Sequence, residues 1–98
     1  MHLIVLAVPG CPSVKLLDQR LAQVLEGRRD VTVSRRVVDD ADEAARRGMH
    51  GSPTLLVDGI DPFPEPGQRA NVSCRLYRDG GQAEGAPSVS QLRRATVG

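Results

Sequence analysis

The chain has 98 residues, a formal net charge of +1 and 26% charged residues, with both signs mixed along the sequence. A nucleic-acid binder needs a clustered basic face and aromatic platforms for base stacking, and Phe63 and Tyr77 are the only aromatic residues. These features argue against nucleic-acid binding. The length suits one small domain over residues 1–98, with a core of Val, Leu, Ile and Ala.

The first two predicted elements are a strand and an amphipathic helix. Residues 2–8 form a continuous apolar run, which is typical of a strand covered on both faces. The Pro-Gly pair at 9–10 ends this strand. Pro12 then suits the first helical position, where a missing N–H costs nothing. An apolar stripe from Val14 onward, at steps of three and four residues, predicts a helix that Gly27 closes.

A second strand and a short helix follow. Residues 31–38 predict a strand, and their paired arginines suit a sheet edge, where charge blocks pairing with another molecule. Asp40 is placed as an N-cap, with Glu43 three residues later completing a capping box. The predicted helix covers residues 41–47 and ends at Gly48.

The second half of the chain predicts two strands and a helix. Residues 54–57 form a strand, and residues 72–77 alternate as a fourth strand. The alternation puts three side chains on one face and three on the other: Val72, Cys74 and Leu76 against Ser73, Arg75 and Tyr77. A capping box of Ser88 and Gln91 opens the last amphipathic helix at Val89.

The element order is therefore β-α-β-α-β-β-α, which predicts an α/β fold. The first two strands are parallel through a right-handed crossover, and the last two are expected to pair antiparallel. The expected result is a four-stranded mixed sheet with helices on both faces.

Cys11 and Cys74 are the only cysteines. Two widely separated cysteines do not make the disulfide framework of a secreted domain, so a reducing compartment is expected. The apolar run at the start is too short for a signal-peptide core or a bilayer span. The sequence therefore predicts a cytoplasmic protein with no membrane partner.

Two motifs carry a resemblance. The segments "GCPSV" at 10–14 and "GSPTLLVDG" at 51–59, at these places in the element order, resemble the thioredoxin-like fold, with glutaredoxins nearest in size. More narrowly, "GMHGSPTLLVDGIDPF", "SCRLYR" and "GAPSV" resemble small actinobacterial thioredoxin-like proteins, some of which are labelled alkylmercury (organomercurial) lyase-like. The resemblance implies that Pro53 is cis and lies beside Cys11. Val14 stands where the second active-site cysteine of such proteins would be.

The expected catalytic residue is Cys11, because the N–H groups and dipole of a helix N-terminus stabilise a thiolate. The candidate substrate-binding residues flank it or belong to the second motif: Pro12, Ser13, Ser52, Pro53 and Thr54. The auxiliary candidates are His50, Tyr77 and Cys74. No metal site is predicted, and the only expected co-substrate is glutathione or another small thiol.

Each auxiliary residue has an ordinary alternative. His50 either donates a proton near Cys11 or is a solvated loop histidine. Tyr77 either lines the substrate groove or covers the end of the sheet. Cys74 is either functional or a small buried apolar residue. A disulfide requires Cα atoms within about 7 Å, and two strand spacings of about 9–10 Å separate the fourth strand from the first, so a Cys11–Cys74 bridge is not expected.

Three functions remain open. The leading prediction is monothiol thioredoxin- or glutaredoxin-like thiol–disulfide exchange at Cys11, with the thiol or disulfide of a small molecule or protein as partner. Because Val14 cannot resolve a mixed disulfide, an external thiol would do so. The alternatives are an organomercurial or soft-metal thiol protein using Cys11 and Cys74, and a redox-inactive binding module with the same fold.

Overall fold

A three-stranded mixed sheet lies at the centre of the computed structural model, which describes residues 1–97. The elements in chain order are β1 (His2–Ala7), α1 (Ser13–Val24), β2 (Thr32–Val37), α2 (Ala41–Arg47), β3 (His50–Ser52), β4 (Thr54–Val57), β5 (Asn71–Cys74), β6 (Tyr77–Asp79), β7 (Gln82–Glu84) and α3 (Val89–Ala95). The sheet order is β2-β1-β4, with β1 parallel to β2 and antiparallel to β4. The predicted α/β class and the parallel first crossover are confirmed.

Helices cover both faces of this sheet, because the alternate residues of β1 and β4 are apolar on each side. Leu3, Val5 and Leu55 pack against residues of α1 and α3 on one face. Leu6 and Leu56 pack on the other face in a second cluster that includes residues of the β2–α2 and α2–β3 segments. Strand β1 therefore lies in the middle of the core, as its continuous apolar run predicts.

The predicted N-caps and the Gly48 cap of the two short helices are present, but α1 ends at Val24 with Leu25 as its C-cap instead of Gly27, and Pro12 is its N-cap instead of its first helical residue. The Asp40 carboxylate accepts a hydrogen bond from the Glu43 N–H at 2.7 Å, and Gly48 ends α2 in the left-handed conformation with φ of 74°. Ser88 and Gln91 form the reciprocal capping box of α3. These local signals fixed the bounds of both short helices because each signal acts within one helical turn.

The predicted fourth strand is wrong. Residues 72–77 divide between β5 and β6, and β5 pairs in parallel with β3 rather than antiparallel with the strand before it. The faces are also reversed, because Arg75 and Tyr77 are buried while Cys74 and Leu76 are exposed. The central sheet consequently has three strands instead of four, and β6 and β7 form a separate antiparallel hairpin.

The helices in the described part of the chain are α1, α2 and α3, and none of them combines the length and apolar character that crossing a membrane requires.

Candidate functional site

Cys11 lies in the turn between β1 and α1, two residues before the helix begins at Ser13. Its N–H donates to the Val8 carbonyl at 3.2 Å, and its carbonyl accepts from the Val14 N–H at 3.3 Å. The residue is half-buried and its thiol is free. Cys11 therefore stands at the amino end of α1, where the helix dipole favours negative charge.

The Cys11 turn is bonded directly to the Ser52–Pro53 segment. Val8, whose carbonyl accepts from the Cys11 N–H, also bonds to Ser52. Its N–H donates to the Ser52 hydroxyl at 3.1 Å. The Ser52–Pro53 peptide bond is cis, as the resemblance implies. The two motifs, about 40 residues apart in the chain, thus meet at one end of the sheet.

Ser52, Pro53 and Thr54 do not form the open substrate-binding surface that the sequence predicts. All three are buried. The Ser52 carbonyl accepts from the Arg75 N–H at 3.1 Å, and the Pro53 carbonyl accepts from the Tyr77 hydroxyl. Because these two carbonyls already have partners inside the chain, they are not available to a substrate, and the segment instead supports the Cys11 turn.

Thr54 illustrates how closely this segment is held. Its hydroxyl donates to the Gly51 carbonyl at 2.6 Å and accepts from the His50 N–H at 3.1 Å. Gly51 has a φ of 103°, and a Cβ built there would lie 2.9 Å from the Cβ of Arg75. Glycine is therefore required at position 51 both by its backbone conformation and by the closeness of β5.

Pro12 and Ser13 lie on a second flank of Cys11. Pro12 is exposed and occupies the N-cap position of α1. Ser13 is half-buried under Gly85, and a Cβ on Gly85 would lie 2.1 Å from the Ser13 Oγ. The segment between β7 and α3 thus partly covers Ser13, so that Pro12 is the more exposed of this pair.

Tyr77 is a buried support. The Arg75 guanidinium lies over the Tyr77 ring, 4.5 Å from the ring centroid. The Phe63 ring meets the Tyr77 ring edge-on, with 5.7 Å between the two centroids. Burial raises the pKa of Tyr77 far above its ordinary value; the Arg75 charge opposes this rise, and the negative charges of Asp61 and Cys11 add to it. Of the two alternatives for Tyr77, the structure favours packing at the sheet end.

The chain offers a clean test of this burial, because Tyr77 is its only tyrosine and it has no tryptophan. A phenol whose pKa is raised in the folded state stabilises the fold below the unfolded pKa of about 10 and loses that contribution as the pH rises above it. We expect phenolate absorbance to appear only together with loss of the far-ultraviolet dichroism of the helices. Phenolate formation in a fully folded protein near pH 10 would contradict the buried position of Tyr77.

His50 faces Asp61, not Cys11. Its Nδ1 lies 3.1 Å from Asp61 Oδ2, and the same carboxylate oxygen accepts from Arg75 at 2.8 Å. Arg75 also donates to the Phe63 carbonyl at 2.7 Å. Burial alone raises the pKa of Asp61, but the hydrogen bonds from Arg75 and His50 outweigh it and hold that pKa below its ordinary value. His50 therefore belongs to an ion cluster that anchors the loop after β4.

Cys74 is exposed, so of its two alternatives the small buried apolar residue is wrong. It ends β5, where its backbone pairs with Ser52. The inward positions are taken by Arg75 and Tyr77, which reverses the predicted alternation. Among residues 1–97, no group of three or more His, Cys, Asp or Glu side chains is arranged to hold a metal ion.

A cavity of about 270 Å³ opens beside Cys11. The end of β1, the Cys11 turn, Val14 and three residues of β2 line it: Arg35, Arg36 and Val37. Sequence reasoning placed the arginines at a sheet edge but did not identify this cavity. The feature that marks the cavity is Val37, an apolar residue at the end of the edge strand β2 that is 63% exposed.

Comparisons with known proteins identify no relative: a scan against protein-family models, a search of curated proteins and a search of solved structures each found no match. The thioredoxin-like resemblance therefore stays a prediction from the two motifs. The residues around Cys11 are the basis for inferring a function.

Proposed function

We propose that the chain is a thioredoxin-like protein that carries out monothiol thiol–disulfide exchange at Cys11. The observation that supports this proposal is the hydrogen bond between the Val8 N–H and the Ser52 hydroxyl. It joins a half-buried thiol at a helix N-terminus to a cis-proline segment. Neither feature alone indicates a thiol site, but a supported thiol at the end of a central strand is an arrangement suited to exchange chemistry.

The proposed reaction uses one protein sulfur. The Cys11 thiolate attacks a disulfide, a new S–S bond forms to one half of the substrate, and the other half leaves as a thiolate. An external thiolate then attacks the mixed disulfide and restores Cys11. Val14, the second residue of α1, has an apolar side chain that cannot attack this disulfide, so the second step needs a separate thiol.

Ser52 and Tyr77 have positioning roles in this proposal. The Ser52 hydroxyl accepts a hydrogen bond from the Val8 N–H, and the Val8 carbonyl accepts one from the Cys11 N–H. The Tyr77 hydroxyl donates to the carbonyl of Pro53 and so holds the next residue of the segment. The partner is a small-molecule or protein disulfide, and a reducing compartment such as the cytoplasm would supply the resolving thiol.

The soft-metal alternative needs Cys11 and Cys74 to converge on one ion. Cys74 is exposed at the end of β5, and its inward neighbour Arg75 is paired with Asp61. No observation in the described residues favours such a site, so we do not propose it.

The two cysteines of the chain allow a matched test of exchange. A Cys74→Ser variant retains only Cys11, and a Cys11→Ser variant retains only the exposed Cys74. With excess bis(hydroxyethyl) disulfide at neutral pH, we expect Cys11 to form the mixed disulfide about tenfold faster than Cys74, because only Cys11 stands at a helix N-terminus, where negative charge is favoured. Mass spectrometry measures the adduct, and reduced glutathione should remove it from Cys11.

Equal rates at the two cysteines would contradict the proposal, because Cys74 is the more exposed thiol and has no helix N-terminus beside it. A Cys11 adduct that glutathione does not release would contradict the resolving step. Equal rates would favour a redox-inactive binding module.

A further inference from the structure

The cavity beside Cys11 has an apolar lining. Val5 and Ala7 of β1 line it and are buried, and Val14 of α1 lines it as well. Val37 of β2 also belongs to the lining but leaves 63% of its surface exposed. An exposed valine that continues a buried apolar surface is a place where an incoming apolar group loses contact with water.

The two lining arginines place no unbalanced charge in this cavity. Arg35 lies on the sheet face of Val5, but the Asp18 carboxylate accepts hydrogen bonds from its guanidinium, the shortest at 2.8 Å. Arg36 pairs in register with Leu6, which packs in the cluster on the opposite face of the sheet. Because alternate residues of a strand point to opposite faces, the Arg36 guanidinium is directed away from the cavity. An uncharged group therefore suits the lining better than an ion.

The size and position of the cavity indicate what that group is. Its volume of about 270 Å³ lies just below the range of about 300–1,000 Å³ for drug-sized ligands, so it suits one part of a small molecule. Cys11 is itself one of the lining residues, so a group in the cavity lies next to the thiol. The organic group attached to the sulfur under attack meets both conditions.

We propose that this cavity holds the apolar, uncharged organic group of a small disulfide while the attached sulfur reacts with Cys11. The inference rests on the proposed exchange function and names its substrate class. The Cys11 thiolate bonds to the sulfur that carries the bound group, the S–S bond breaks, and the other half of the substrate leaves as a thiolate. Because the bound group is already out of water when the new bond forms, each methylene that it buries lowers the barrier.

Two neutral reagents, methyl and propyl methanethiosulfonate, test this selection in a Cys74→Ser variant. A thiolate displaces methanesulfinate from each reagent and forms a mixed disulfide with the alkylthio group. The measured quantity is the propyl-to-methyl rate ratio at Cys11, divided by the same ratio for the model thiol N-acetylcysteine amide. The thiolate fraction cancels within each ratio, because both reagents react with the same thiol. We expect the normalised ratio to be about three- to tenfold above one.

Charged reagents of similar size test the preference for an uncharged group. Sulfonatoethyl and trimethylammonioethyl methanethiosulfonate carry opposite charges, and high salt screens long-range attraction to the protein. Relative to the propyl reagent and to the model thiol, both should react about threefold or more slowly at Cys11, because an ion against an apolar lining loses hydration without gaining a partner. If either one reacts as fast as the propyl reagent on this scale, the preference for an uncharged group is overturned.

Val37 and Val33 provide a matched pair of variants. Both are exposed on the same face of the edge strand β2, but Val33 is about 13 Å from Val37 along the strand and does not line the cavity. Val37→Asn should lower the normalised propyl-to-methyl ratio about threefold, because it replaces apolar lining with a polar group. Val33→Asn makes the same change outside the cavity and should alter the ratio less than twofold. Helix dichroism checks that both variants are folded.

The outcomes separate the two proposals. If Cys11 exchanges faster than Cys74 with bis(hydroxyethyl) disulfide but the normalised propyl-to-methyl ratio is near one, the cavity does not hold the organic group, and the exchange function stands. The same conclusion follows if Val37→Asn and Val33→Asn behave alike. If Cys11 is no faster than Cys74 with bis(hydroxyethyl) disulfide, the exchange function fails, and the inference that rests on it fails with it.

Discussion

Asp61→Asn is expected to lower the free energy of unfolding by about 3–5 kcal/mol, the cost of removing one partner from a buried ion pair. The side chains of Asp61 and Arg75 are each only 6% exposed, with 2.8 Å between the paired atoms. The substitution keeps the shape of the side chain but leaves the Arg75 charge without its counterion. The loss is a large part of the 5–15 kcal/mol by which domains are stable.

Chemical denaturation followed by helix dichroism measures this change, and Asp18→Asn is the control. Asp18 also pairs with an arginine at 2.8 Å, but the two side chains are 31% and 56% exposed. An exposed pair of this kind contributes about 0–1 kcal/mol. Similar losses in the two variants would show that the Asp61 pair is not buried in solution.

The pH dependence gives a second reading of the same pair. A carboxylate whose pKa is lowered in the folded state stabilises the fold above its unfolded pKa of about 3.9, and this contribution is lost as the pH falls through the folded value. The wild-type protein should therefore lose stability below about pH 4 more steeply than Asp61→Asn.

Gly85→Ala is expected to destabilise the protein by about 1–3 kcal/mol, the usual cost of overpacking. The new Cβ would lie 2.1 Å from the Oγ and 3.0 Å from the Cβ of Ser13, so the Ser13 hydroxyl must leave its position and the two Cβ atoms must separate slightly. Because Ser13 begins α1, the movement reaches the helix end beside Cys11. We expect a slower exchange rate at Cys11 together with the loss of stability.

Gly81→Ala is the matched control, since a Cβ there would meet no atom within 4 Å. A Ser13→Gly change in the Gly85→Ala protein removes both clashing atoms and should recover about 1 kcal/mol relative to the sum of the single changes. If Gly85→Ala is as mild as Gly81→Ala, the segment does not cover Ser13 as described.

The first half of the fold was predictable because its signals are local. The apolar run of β1, the stripe of α1 and the Asp40 cap each act within a few residues, and the structure places these elements within one or two residues of the predicted bounds. The position of Cys11 at the end of a central strand followed from the same signals.

The error over residues 72–77 has a specific physical cause. Hydropathy places an arginine outside, but Arg75 is buried because Asp61, the Phe63 carbonyl and the face of Tyr77 satisfy its guanidinium. Asp61 and Phe63 lie in a different segment of the chain from Arg75. Tyr77 is a near neighbour, but its burial was itself not predicted. The sequence pattern does not show that these groups come together. Because Arg75 points inward, its neighbour Cys74 points outward, which is the reverse of the predicted arrangement.

Arg20 has a consequence for the order in which the molecule is completed during synthesis. From the middle of α1 it donates to the Ala86 and Pro87 carbonyls, 66 and 67 residues further along the chain, and pairs with Glu84 at 2.8 Å. These contacts hold the segment that covers Ser13. While residues 84–95 are still inside the ribosome, Cys11 has already emerged with this flank uncovered. A newly made chain therefore leaves Ser13, the first residue of α1, more exposed than the finished fold does.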